Sequence, residues 1–184
     1  MFNIILKKLA ASLNKKQVPY MVIGGQAVLL YGEPRLTKDI DITLGLGIEG
    51  LEKVMQIVEK ISLRILVDNP EQFVKKTMVL PVIDDKTGIR VDFIFSYSQY
   101  EKQAITRAVE VKFGRTGVKF ATLEDVIIHK IIAGRARDIE DIKAILLKNP
   151  YDGNYIREWL KKFDIAMNGN FSILFQKIER EINE

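Results

Sequence analysis

The spacing of apolar side chains divides the chain into a mixed first part and a helical last part. Apolar residues recur every three or four positions in several segments, which predicts amphipathic helices. Shorter apolar runs bounded by glycine, proline or aspartate predict strands. The predicted helices cover residues 2–16, 26–31, 49–61, 123–133, 138–147, 155–163 and 171–182, and the predicted strands cover residues 20–23, 40–44, 77–83, 89–95, 109–113 and 118–120.

Two of the predicted strands flank the turn sequence Asp-Asp-Lys-Thr-Gly at residues 84–88, which predicts a β-hairpin. A second hairpin is predicted around residues 114–117. We therefore expect an α/β (α+β) architecture with two parts. Residues 1–121 form a mixed core, and residues 122–184 form a C-terminal helical region that packs on that core.

The composition restricts the chemistry that the chain can perform. Its 184 residues contain no cysteine and one histidine, which exclude a thiolate metal site and disfavour a multi-histidine site or a Ser–His–Asp triad. A bound metal would be held by carboxylate oxygens and would be a hard ion such as Mg²⁺ or Mn²⁺. The net charge of +4 and the pI near 9.1 fit an anionic partner such as a nucleotide or RNA.

Charged residues interrupt the apolar runs before any of them reaches the length of a membrane span. The first sixteen residues are typical of an amphipathic helix rather than a signal peptide, because lysines follow the apolar stretch. We therefore expect a cytoplasmic protein with no membrane partner.

The most informative segment joins a glycine turn to a pair of acids. The strand at residues 20–23 runs into Gly24 and Gly25, and the helix that follows directs its first N–H groups toward any ligand at this turn. Asp39 and Asp41 are two positions apart on the next strand, so their side chains project from one face. A divalent cation between them would remove their mutual repulsion. Taken separately, a Gly-Gly pair is usually a turn and an Asp-x-Asp pair is usually a solvated strand edge.

With this order and spacing, the segment resembles the DNA polymerase β-like nucleotidyltransferase superfamily. The sequence Gly-Gly followed by Arg-x-Thr-x-Asp-x-Asp is similar to the small bacterial nucleotidyltransferases of the abortive-infection (type IV) toxin class. The resemblance covers residues 20–44 well and continues in pieces to residue 141. It implies a mixed, partly antiparallel sheet flanked by helices, with a helical C-terminal part. It also implies that Gly24, Gly25, Arg35 and Thr37 bind the nucleotide.

The superfamily has a third carboxylate on a later strand, and Asp92 matches it. Asp92 lies on the face of its strand that carries Arg90 and Ile94, opposite the apolar face. The resemblance implies that Asp92 completes the metal site with Asp39 and Asp41 and helps to deprotonate the acceptor. An arginine or solvent partner on an open face is the alternative explanation. Asp84 and Asp85 are weaker candidates, because the turn explains them.

A lysine in the predicted helix at residues 123–133 is also a candidate. Lys130 lies away from the acids of its own helix, so it either extends to water or meets an anion from another element. The toxin class has a helix lysine followed by Arg-x-Arg-Asp, and this resemblance implies that Lys130 contacts the triphosphate. Asp138 is then a further site residue that holds Lys130 or Arg35 in place. Its alternative role is to cap the next helix.

The resemblance predicts a metal-dependent enzyme that moves a nucleoside monophosphate from an NTP to an acceptor hydroxyl and releases pyrophosphate. The catalytic residues would be Asp39, Asp41, Asp92 and Lys130. The toxin resemblance suggests a tRNA end as acceptor and a cognate antitoxin as partner. A small hydroxylated compound such as an antibiotic, or another protein, is an alternative acceptor. A nucleotide- or partner-binding module without catalysis is the alternative of a different class.

Overall fold

The structure, a computed structural model, describes residues 2–34, 36–96 and 98–184. Its backbone forms two compact units. The first contains the chain up to Gln26 together with Thr37–Ala121, and the second contains Ala27–Leu36 together with Thr122–Glu184. The chain therefore leaves the first unit after Gln26 and returns to it at Thr37.

A mixed sheet forms the centre of the first unit. Its order is β3-β4-β5-β2-β1-β7-β6, with parallel pairing of β2 with β5 and of β1 with β7 and antiparallel pairing elsewhere. Among the described residues, its strands are β1 (Tyr20–Ile23), β2 (Asp39–Leu44), β3 (Arg64–Ile65), β4 (Val79–Asp84), β5 (Ile89–Phe95), β6 (Val109–Phe113) and β7 (Thr116–Phe120).

Helices accompany the sheet in the first unit and make up the second. The first unit has α1 (Phe2–Lys15), α3 (Leu51–Lys60) after a 3-10 turn (Ile48–Gly50), α4 (Pro70–Thr77) and α5 (Gln99–Arg107). The first three residues of α2 (Gly24–Tyr31) belong to the first unit and the rest to the second. The second unit continues with α6 (Leu123–Ala133), α7 (Ala136–Lys148), α8 (Gly153–Met167) and α9 (Phe171–Glu181).

The periodicity of the sequence accounts for these elements. The apolar stripe of α1, which contains Ile5, Leu6, Leu9 and Leu13, is buried as predicted. In β5, alternate residues are buried and the residues between them are partly exposed. The four residues of β1 are all buried, because this strand lies between two others in the interior of the sheet. The predicted α/β class, with a mixed sheet and a helical C-terminal part, is confirmed.

Three elements were not among those that the pattern predicted: β3, α4 and α5. Each is short and buries few apolar side chains, so hydrophobic periodicity gives little signal. The starts of the two helices are instead fixed by capping. Asn69 accepts the backbone N–H of Gln72 at the start of α4, and Ser98 forms a capping box with Glu101 at the start of α5.

The second unit has its own apolar core. Ile127 and Ile131 of α6, Ile142 of α7, Leu160 of α8 and Phe175 of α9 are completely excluded from solvent. The helices that carry these side chains contact one another, α6 with α7, α8 and α9, and the burial of their apolar faces stabilises this packing. No helix of the described residues is long and apolar enough to cross a membrane.

Candidate active site

The turn after β1 brings the backbone of Gly24 against the carboxylate of Asp41. Gly24 has a φ of +63°, and a β-carbon added to it would lie 1.9 Å from Oδ2 of Asp41. The register places Ile23 opposite Asp41, so β2 brings this carboxylate to the end of β1. A side chain here would meet left-handed backbone strain and would require the carboxylate of Asp41 to move. Gly24, which the sequence pattern selected, therefore leaves room for this carboxylate.

The three predicted carboxylates lie on two neighbouring strands. Asp39 and Asp41 alternate with the buried Ile40 on β2, and Asp92 of β5 lies beside Asp41 in the parallel register. Residues side by side in such a ladder present their side chains on the same face. Asp39, Asp41 and Asp92 are all partly exposed, whereas most of the other residues of the two strands are buried. The sheet therefore collects these acids on one open face.

Arg90 shares this face and forms an ion pair with Asp92. The Nε of Arg90 lies 2.9 Å from Oδ1 of Asp92, with side-chain exposures of 51% and 18%. The hydrogen bond to Asp92 raises the pKa of Arg90, and the negative charges of Asp92, Asp39 and Asp41 raise it further. The arginine partner considered for Asp92 in the sequence analysis is thus present. All three acids act on a single cation, so their electrostatic field favours positive charge.

The donor chemistry of this face fits a hard divalent cation. Carboxylate oxygens are the ligands that Mg²⁺ and Mn²⁺ prefer, and the pull on Arg90 shows that the face attracts cations. Within the described part of the chain, no group of three or more acids, histidines or cysteines is arranged to enclose a metal ion. Arg90 donates a hydrogen bond to Asp92 on this face.

Behind the glycine turn, Gln26 holds Thr37. The buried side-chain amide of Gln26 donates to Oγ1 of Thr37 at 2.5 Å. Thr37 lies two residues before Asp39, so this bond fixes the approach to β2. Sequence reasoning did not select Gln26; its only signal was a polar residue in the apolar segment after Gly24 and Gly25. Arg35, a predicted nucleotide-binding residue, lies outside the described residues.

In the second unit, Lys130 of α6 is buried between two acids of α7. Its Nζ lies 2.6 Å from Oδ1 of Asp138 and 2.7 Å from Oδ2 of Asp141, and all three residues are less than 10% exposed. Lys130 therefore pairs with anions from another element. This is one of the two outcomes that the sequence predicts for it, the other being extension to water. Oδ2 of Asp138 also lies 4.0 Å from Nε of the exposed Arg135.

The alternative role of Asp138 as a helix cap is wrong. The N-cap of α7 is Arg135, and Asp138 lies within the first turn of the helix with its carboxylate on Lys130. Sequence reasoning missed Asp141. Its signal was the spacing of three residues from Asp138, which places both acids on one face of a helix.

Taken together, the first unit offers a glycine turn, a helix start and an acidic face within a short stretch of strand. The first N–H groups of α2 have no partners inside the helix and suit an anion such as a phosphate. The acids beside them suit a cation. A metal-bound polyphosphate carries anionic phosphate oxygens next to a bound cation, so it would suit both features.

Comparison with known proteins agrees with this chemistry. A family model described as "Nucleotidyltransferase of unknown function (DUF6036)" matches residues 2–180. No curated protein matches the chain.

Solved structures with a similar fold include three proteins of low sequence identity. The antibiotic-resistance factor ANT(2'')-Ia is 15% identical, with a TM-score of 0.59 and 97% of each chain covered. An antigenic nucleotidyltransferase-like protein from Paracoccidioides brasiliensis is 16% identical, with a TM-score of 0.56, 89% of this chain covered and 87% of that one. The lincosamide antibiotic adenylyltransferase LnuA, solved with lincomycin bound, is 18% identical, with a TM-score of 0.51, 73% of this chain covered and 89% of that one. At these identities the likeness shows the fold.

Proposed function

The chain belongs to the nucleotidyltransferase family whose model spans residues 2–180, and on this premise we propose that it moves a nucleoside monophosphate from an NTP to an acceptor hydroxyl. The observation that carries this proposal is the placement of Asp39, Asp41 and Asp92 on one face beside Gly24. A face of three acids next to a glycine turn suits the metal-bound triphosphate of an NTP.

In the first unit, some residues bind the triphosphate and one accepts a proton. The triphosphate lies over Gly24 and Gly25, where the N–H groups at the start of α2 bind its oxygens. Thr37 donates to the same phosphates. Asp92 accepts the proton of the acceptor hydroxyl, and the oxygen attacks the α-phosphorus in line with the leaving group. The bond to the β-phosphate then breaks, and pyrophosphate leaves.

A divalent cation, Mg²⁺ or Mn²⁺, would be held by Asp39, Asp41 and Asp92 and would neutralise charge at the transferring phosphorus. Arg90 acts against such binding as long as it pairs with Asp92. A cation held by the three acids would compete with the guanidinium of Arg90 for the carboxylate of Asp92.

The resemblance to the toxin class extends the site to Arg35, Lys130 and Asp138, and these assignments are part of the proposal. The resemblance implies that Lys130 contacts the triphosphate. Asp138 and Asp141, at 2.6 and 2.7 Å from its Nζ, hold the ammonium in one place.

RNA, and a tRNA end in particular, is the first candidate acceptor. The toxin resemblance supports it, and so does the net charge of +4, which favours an anionic partner. A protein of this class would have a cognate antitoxin as partner.

A small-molecule acceptor is the second candidate, and the structural neighbours favour it. ANT(2'')-Ia is an antibiotic-resistance factor and LnuA is a lincosamide adenylyltransferase, and both share the fold over most of their length. In this case the acceptor hydroxyl belongs to an antibiotic-type compound. The third candidate, a binding module without catalysis, is disfavoured by the intact set of Gly24, Asp39, Asp41 and Asp92.

The test is transfer of label from each of the four NTPs, labelled at the α-phosphate, in the presence of Mg²⁺ or Mn²⁺. Total tRNA, an aminoglycoside and a lincosamide are offered as acceptors in parallel. We expect label on one acceptor class, and its identity decides between the two candidates. Asp41→Asn should abolish transfer, whereas Asp85→Asn, in the turn before β5, should not. Nucleotide binding without transfer to any acceptor would contradict the proposal.

A further inference from the structure

The hydrogen bond between Gln26 and Thr37 closes the segment of chain between them. Gln26 is the last residue before the chain leaves the first unit, and Thr37 is the first residue after its return. The side-chain amide of Gln26 donates to Oγ1 of Thr37 at 2.5 Å, and Gln26 is only 6% exposed. A buried amide needs a hydrogen-bond partner, and the hydroxyl of Thr37 supplies one.

The first turn of α2 thereby contacts both ends of the segment from Thr37 to Asp41. Gly24 lies against the carboxylate of Asp41 at one end, and Gln26 binds Thr37 at the other. Asp39 lies between these two contacts. Gly24 and Gln26 therefore contact the strand start that carries the first two acids from both sides of Asp39.

The direction of the hydrogen bond also decides what Thr37 can do. A hydroxyl has one proton to donate and accepts through its lone pairs. Because Oγ1 accepts from the amide of Gln26, the proton of the hydroxyl stays available for another acceptor. A phosphate oxygen of an NTP is such an acceptor, and a hydrogen bond to an anion is stronger than one between neutral groups.

We infer that Gln26 is a positioning residue of the transfer site, which orients the hydroxyl of Thr37 to donate to a phosphate of the bound nucleoside triphosphate. This inference rests on the proposed function, because it assumes that the acidic face beside Gly24 binds an NTP. It assigns Gln26 no contact with substrate. Gln26 acts through Thr37.

Four variants separate this role from a merely structural one. Gln26→Met keeps the volume and removes the amide, so the affinity for NTP should fall about tenfold as the hydroxyl loses its orientation. Gln26→Glu places an acceptor in the same position and draws the proton of Thr37 toward itself, so its affinity should fall further, by about a hundredfold. Thr37→Ser keeps a hydroxyl and should restore most of the binding that Thr37→Val loses.

The measurement is calorimetric binding of a non-hydrolysable NTP, together with KM and kcat for transfer and the urea midpoint of each variant. We expect a rise in KM with a smaller change in kcat, and no added loss when Gln26→Met is combined with Thr37→Val. Gln56→Met serves as the control, because Gln56 is an exposed glutamine whose side chain meets only Lys16 among the described hydrogen bonds.

A lowered urea midpoint with unchanged nucleotide binding would make Gln26 a purely structural residue. Equal binding by Gln26→Met and Gln26→Glu would contradict the assigned direction of the hydrogen bond. If the wild-type protein binds the nucleotide but transfers nothing, the proposed function fails, while the binding series still tests Gln26.

Discussion

The carboxylate of Asp41 fills the space that a β-carbon on Gly24 would occupy. The two atoms would be 1.9 Å apart, although the residues are separated by seventeen positions in the chain. The antiparallel register of β1 and β2 creates this contact by pairing Ile23 with Asp41. The register of the two strands therefore holds the glycine turn against the acid pair.

Gly24→Ala should abolish transfer and destabilise the fold, because it adds both left-handed strain and a collision with Asp41. Gly88→Ala is the matched control. Gly88 has a φ of +70°, and no atom lies within 4 Å of an added β-carbon. Gly88→Ala should lose about 1–2 kcal/mol of stability from backbone strain alone. Gly24→Ala should lose at least about 1 kcal/mol more, because of the collision with Asp41. Urea unfolding measures the difference, and equal losses would show that Asp41 yields without cost.

Arg90→Gln should lower the Mg²⁺ concentration needed for half-maximal transfer by about fivefold. The substitution removes a positive charge from the face that holds Asp39, Asp41 and Asp92, and charges at this separation interact by about 1 kcal/mol. Arg64→Gln is the control, since Arg64 forms an exposed pair with Asp85 on the neighbouring hairpin. An unchanged metal requirement in Arg90→Gln would argue against cation binding by these acids.

Lys130→Met should destabilise the protein by about 3–5 kcal/mol, because it leaves the buried carboxylates of Asp138 and Asp141 without their ammonium partner. Lys162→Met breaks an exposed pair with Glu158 and should cost less than about 1 kcal/mol. Chemical denaturation followed by circular dichroism compares the two. A small loss in Lys130→Met would mean that water reaches the cluster.

Replacing Tyr31 by phenylalanine should reduce the loss of stability between about pH 10 and pH 12. Burial raises the pKa of Tyr31 to about 12, and the negative charges of Glu124 and Asp125 contribute. The unfolded chain loses this proton near pH 10 while the folded chain keeps it, so stability is full below pH 10 and declines as the pH rises through 12. Because the ring is only partly buried, we expect a difference of about 1 kcal/mol.

The measurement is urea unfolding of the wild type and Tyr31→Phe at matched pH values. Lysines titrate in the same range, so the difference between the two proteins, and not either curve alone, reports Tyr31. Parallel curves from pH 9 to 12 would contradict the raised pKa.

The sequence by itself determined the α/β class, the alternation of β5, the stripe of α1 and the identity of the acids on β2. The class, the alternation and the stripe follow from local periodicity, and the acids follow from a short motif; both depend only on the spacing of residues along the chain. The starts of α4 and α5 are set by capping residues instead. These helices have few apolar positions, so hydrophobic periodicity does not predict them.

Only the tertiary structure decided which side chains meet. The approach of Asp41 to Gly24 and the burial of Lys130 between Asp138 and Asp141 depend on strand register and helix packing, whereas the pairing of Asp92 with Arg90 follows from their alternation on one strand. Register and packing are set by the combined burial of many apolar residues, and no single segment contains that information. The sequence therefore determined the chemical groups of the site, and the fold determined their partners.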